Sequence, residues 1–108
     1  MKKQYKNGTS NKDDIESLRR AIFDLHASTS KWIRAEYIRE EFKEKIVWEG
    51  TVQVFDIQGH PEATRCYAWS SPIGGSTKRK FFEVLHVPPV ASAKDAVRAA
   101  IVQEYRQK

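Results

Sequence analysis

Between Ile46 and Pro89 three stretches rich in β-branched and aromatic residues, IVWEGTVQVFDI, ATRCYAW and KFFEVLHV, are separated by QGHPE and SSPIGGST. Runs of that composition suit a pleated, half-buried surface, and Gly-His-Pro and Ser-Pro-Ile-Gly-Gly punctuate a chain at turns. The pattern predicts an antiparallel meander over 46–88, stopped by Pro88-Pro89, since proline cannot donate to a ladder. A meander of three strands cannot stand bare in water; something must cover it.

The flanks supply the cover. Asp13 and Asp14 suit a helix start, where carboxylates meet free N–H groups and complement the dipole. Ile15, Leu18, Ile22 and Leu25 then share a stripe, so 13–26 reads as an amphipathic helix. Ser92 caps a last helix, with Asp95 at the capping-box position. Its stripe is Ala93, Ala96, Val97, Ala100, Ile101 and Tyr105, small enough at its start to let the helix lie close on a sheet. Residues 31–45 carry two patterns. Trp32, Ala35, Ile38 and Phe42 fit a helical face, but Ile33 and Tyr37 fall opposite and spoil it. The strand reading, an irregular edge strand guarded by charge, is preferred.

These elements give an α+β domain over 13–108. The expected form is two-layered: an antiparallel sheet of three to four strands, with the N- and C-terminal helices packed on one face. Residues 1–12 read as a flexible basic tail.

Alternation along the strands shows where a working surface would lie. Ile46, Trp48, Val52 and Val54 face one way; Val47, Phe55 and Ile57 face the other. Arg65, Tyr67 and Trp69 share a face, opposite Cys66 and Ala68. Phe81, Leu85 and Val87 oppose Phe82, Val84 and His86. Both faces are apolar, and a two-layer domain leaves one of them uncovered. An exposed patch drawn from Arg65, Tyr67, Trp69, Phe81 and Leu85 is therefore expected to bind a protein partner or a second copy. The bland alternative is that this face is simply core.

Charge points weakly to nucleic acid. The net charge is +5, but residues 1–12 hold four lysines and no acid, so the remainder is nearly neutral. Lys78, Arg79 and Lys80 form the best anion-contacting candidate. The preceding Gly74-Gly75-Ser76 lacks phosphate-loop spacing and leads into a strand, where no helix dipole assists. No apolar run approaches a membrane span, and Gln4 to Gly8 replaces any signal-peptide core, so a cytoplasmic chain is expected. Cys66 is the single cysteine, which excludes an intrachain disulfide and a thiolate cluster.

Chemistry finds little support. Cys66 sits mid-strand, where an inert thiol is the plain reading. His26, His60 and His86 have no ligand spacing, so neither metal nor cofactor is expected. Glu36, Glu40, Glu41 and Glu44 interleave with Arg34, Arg39, Lys43 and Lys45 as a self-neutralising face.

The run WEGTVQVFDIQGHPEATRCYAWS resembles a small family of bacterial proteins of no established activity, which implies no catalytic residue. Separately, the α-β-β-β-α order is similar to double-stranded RNA-binding domains, where lysines opening the last helix grip phosphates. Here that place reads Ser92-Ala93-Lys94-Asp95-Ala96-Val97, with one lysine and a counteracting aspartate. The expectation is a non-catalytic interaction module, homodimeric through a sheet face or edge; the alternatives are a weak nucleic-acid or anion binder and, last, a small enzyme.

Overall fold

The computed structural model describes residues 7–8, 12–73 and 77–106. Its elements are β1 (Asn7–Gly8), α1 (Lys12–His26), β2 (Thr29–Phe42), β3 (Lys45–Gln58), β4 (Arg65–Pro72), β5 (Arg79–Leu85) and α2 (Ala93–Arg106). The strand reading of 31–45 holds: β2 pairs antiparallel with β3 along its whole length, from Thr29 opposite Gln58 to Phe42 opposite Lys45. On its other side β3 pairs with β4 from Gln53 to Asp56, and β4 pairs with β5. The α+β class and the meander are as expected.

Two local findings concern the N-terminal half. Within the segment expected to be a tail, Asn7 and Gly8 pair in parallel with Gly50 and Thr51. Residues 1–6 and 9–11 lie outside the described residues. Gly50 is the place of close approach, taken between Ile38 and Asn7. The β2–β3 hairpin turns on Lys43 and Glu44, with φ of 52° and 65°. Positive φ at both central residues is the mirror-image turn whose twist suits a hairpin.

The placement of the helices corrects the two-layer expectation. They lie on opposite faces of the sheet, not on one. Leu18 and Ile22 of α1 pack with Phe55, Ile57, Cys66 and Ala68. Ala93, Ala96 and Val97 of α2 pack with Val52, Val54, Tyr67 and Trp69. The physical reason is the double-sided apolar alternation itself: each face of β3 and β4 needs its own cover. Side-chain size decides which helix goes where. On β4 the α1 face carries small Cys66 and Ala68, and α1 brings leucine and isoleucine. The α2 face carries Tyr67 and Trp69, and α2 brings alanines. Large against small on each side lets both layers interdigitate.

The helix ends follow from their residues. The Asp95 N–H donates to Ser92 Oγ at 3.1 Å, which is one half of the capping box, while the Asp95 carboxylate accepts at 3.1 Å from Ala91, one residue before the cap. Ala27, with φ of 54°, ends α1 in the left-handed conformation. Its N–H donates to the Phe23 carbonyl at 2.8 Å.

Candidate partner-binding edge

The predicted surface residues are not brought together. Tyr67 is 2% exposed and Trp69 fully buried, both beneath α2. Phe81 and Leu85 belong to the opposite face: Leu85 stands opposite Cys66 in register and packs with the α1 core. Phe81 alone among the apolar members is well exposed, at 41%. A patch of Tyr67, Trp69, Phe81 and Leu85 therefore does not form, because each face has acquired a helix. Arg65 lies half-buried beyond the α2 core and meets Asp56 at 3.5 Å.

The end of the α2 face around Arg65 is polar. The Tyr67 hydroxyl and His86 Nδ1 are 2.6 Å apart, which satisfies both groups at the margin of the core. Burial pushes the Tyr67 hydroxyl pKa up, opposed by Arg65, and Glu36 adds to the rise. The Arg34–Glu36 pair, at 2.8 Å, completes this rim.

Basic residues of the second hairpin are engaged locally. Arg79 donates from Nε to Ser70 Oγ at 2.7 Å and from Nη2 to the Ser70 carbonyl at 3.0 Å. Lys80 bonds Glu104 of α2 at 2.7 Å and lies 5.2 Å from the Phe82 ring centroid. Lys78 is exposed. Residues 74–76 of the expected flexible turn lie outside the described residues. Lys94, at the start of α2, meets Glu40 at 3.6 Å, and Arg98 meets the same carboxylate at 2.6 Å. That nearly buried carboxylate ties α2 to β2.

The thiol is buried, and each histidine is engaged by a neighbour. Burial, with Glu83 nearby, raises the Cys66 pKa to about 12, so the thiol stays protonated at neutral pH. His60 accepts the N–H groups of Glu62 and Ala63 on Nδ1, both at 3.0 Å, and so locks its own turn. His26 lies edge-on to His60, with ring centroids 6.0 Å apart.

What stands out instead is the outer edge of β5. The neighbouring β4 is buried over most of its length, whereas β5 has no fully buried residue. In an antiparallel pair, backbone groups alternate between facing the partner and facing away. The His86 N–H donates to the Arg65 carbonyl at 2.9 Å. This phase turns the backbone of Val84 and Phe82 toward β4, and that of Phe81 and Glu83 toward the open edge. His26 Nε2 contacts the Glu83 carbonyl at 3.0 Å, as that phase requires. A groove of about 460 Å³ runs along the edge, bounded by Leu25 and His26 on the α1 side and by Ala99 and Gln103 on the α2 side. Its floor includes Glu83, whose carboxyl burial raises from an ordinary 4.5 to about 6.

Sequence reasoning names Phe81 as a surface candidate but misses the groove. The alternation rule reports which face a side chain takes; it does not report which strand is outermost on the side away from β2. His26 carried no signal at all, because its contact spans 57 positions.

No family model, curated protein or solved structure matches this chain. Among the described residues, no helix is long and apolar enough to cross a membrane.

Proposed function

We propose that this chain is a non-catalytic interaction module that pairs with a second copy of itself through the open edge of β5. The observation that carries the reading is the outward-facing backbone of Phe81 and Glu83, set in a half-buried strand between two helices. Edge strands are templates for added strands. The two helices flank this one without covering it.

Self-pairing is favoured by the order of residues in β5. In an antiparallel arrangement centred on Phe81, the two Phe81 rings meet on the α1 face. Arg79 then falls opposite the partner's Glu83, and Glu83 opposite the partner's Arg79. Opposite charges directly across a pair stabilise it. Centring on Glu83 would instead set two carboxylates against each other. The His26 contact is compatible with the added strand, since a carbonyl has a second lone pair for the incoming N–H. The pair would extend each sheet and bury Phe81 together with the exposed flank at Leu25.

Sedimentation of the chain over a rising concentration series tests this. A reversible monomer–dimer equilibrium is expected, with Phe81→Glu monomeric throughout. A wild-type chain that stays monomeric at the highest concentration overturns the proposal, and so does a dimer indifferent to Phe81→Glu. Anion contact through Lys78, Arg79 and Lys80 has less support, because Lys80 is already paired with Glu104 and Arg79 would be taken up by the partner's Glu83.

A further inference from the structure

We infer that the end of the sheet formed by the β2–β3 and β4–β5 turns docks peripherally on an anionic lipid surface. The strands alternate in direction along the meander, so these two turns share one end. The register of β3 with β4 stops at Gln53, so the β2–β3 tip parts from the β4–β5 tip. Both tips carry large apolar groups into water. Phe42, Ile46 and Val47 on the first and Ile73 on the second are between 46% and 63% exposed. Val47 has no opposite residue, because the register passes from Ile46–Glu41 directly to Trp48–Glu40. A bulge of this kind re-aims a side chain, and Val47 reaches the cleft that Ile73 also lines. The two tips are therefore neighbours. Several such groups gathered at one end form a patch that marks an interaction surface.

The surrounding charge selects the partner. Lys43, Lys45 and Lys78 are exposed on the same two turns and outnumber Glu44. Glu41 is paired with Arg39 at 3.1 Å. The Lys43 ammonium lies 5.4 Å from the Phe42 ring centroid, so cation and apolar group are presented together. The chain as a whole carries +5. Apolar groups ringed by lysines match a bilayer, whose interface accepts the first and whose anionic headgroups attract the second. Lysine stems can lie along the apolar boundary with their heads in water. A protein partner would need a concavity cut to two separate tips; a lipid surface yields to both. The site uses the end of the sheet, apart from the β5 edge.

The test is co-sedimentation of the full chain with vesicles of phosphatidylcholine alone, and with vesicles containing about one-third phosphatidylserine. Binding to the anionic vesicles is expected, weakened by salt, with little binding to the neutral ones. Phe42→Ser should weaken it about tenfold, through the apolar area no longer buried. Lys43→Gln combined with Lys45→Gln should weaken it about thirtyfold, at roughly fivefold per lysine. All three positions are exposed, so these variants keep the fold. Tyr37→Ser, at a comparably exposed aromatic outside the tips, should bind as the wild type does. The inference is overturned if the chain ignores anionic vesicles, if it binds neutral ones equally well, or if Phe42→Ser and Tyr37→Ser behave alike. Self-association without lipid that is lost in Phe42→Ser would give the tips to a second copy and overturns it too.

Discussion

Among the described residues the sheet has two outer edges, β2 and β5, and they are built differently. The β2 edge is long, at 14 residues, with register shifts near each end. It alternates Arg34, Glu36, Arg39 and Glu41, and its ion pairs lie along the strand, at 2.8 Å for Arg34–Glu36 and 3.1 Å for Arg39–Glu41. The β5 edge is half as long, with Phe81, Phe82, Val84 and Leu85 among its 7 residues. Irregularity and charge are ways in which a sheet protects an edge from a second chain. Here β2 has both. β5 is bordered by two helices and carries the His26 contact on its Glu83 carbonyl. An edge that is free because it is guarded differs from one that is free because it is kept for a partner.

The comparison can be strained in three ways. The largest effect concerns how each strand is held. Ile38 of β2 is 8% exposed beneath α2, whereas Phe81 of β5 is 41% exposed. Ile38→Ala should cost about 2–5 kcal/mol of folding stability, as buried truncations do. Phe81→Ala should cost less, about 1–2 kcal/mol, because 41% of its area is already in water in the monomer. Chemical denaturation of both variants below the dimerisation range checks this. Equal losses would mean that β5 is as firmly covered as β2.

The next contrast compares the edges as surfaces. Phe81→Glu should weaken self-association by about a hundredfold, the equivalent of about 2.7 kcal/mol. Tyr37→Glu, at a residue of β2 that is 58% exposed, should leave self-association unchanged. Sedimentation of the two variants side by side reads both. The reverse outcome would transfer the interface to β2.

The smallest effect lies in the floor of the groove. Glu83 in the folded chain holds its proton up to about pH 6, against an ordinary value of 4.5. The folded state therefore binds more protons than the unfolded state between those values, and stability falls as pH rises through them. After discounting for solvent screening at a half-exposed group, the loss is at most about 1 kcal/mol. Glu83→Gln should recover it at neutral pH and flatten the pH dependence between about 4.5 and 6. Denaturation midpoints measured across that range check the sign.

Much of the architecture was legible in residue patterns. The turns around Gly59 and Pro72, the α1 stripe and the Ser92–Asp95 cap all rest on local chemistry, and local chemistry is written along the chain. The alternation of Cys66 and Ala68 against Tyr67 and Trp69 was also legible, and it already contained the answer that both faces are core. The two-layer expectation departs from it only by supposing that one domain of this length builds two layers. Lys43-Glu44 carries no glycine or asparagine, so the mirror-image turn between β2 and β3 had no signature. The candidate edge was the least legible part. Its outward phase depends on the His86–Arg65 hydrogen bond, and its boundaries on residues from α1 and α2 far away in sequence.

The most direct measurement is amide hydrogen exchange as a function of protein concentration. If β5 pairs with a second copy, the Phe81 and Glu83 amides are slow to exchange at high concentration and become fast on dilution. The β2 amides exchange at rates that do not change. Exchange at Phe81 and Glu83 that is indifferent to concentration, or concentration-dependent protection that appears on β2 instead, would contradict the account.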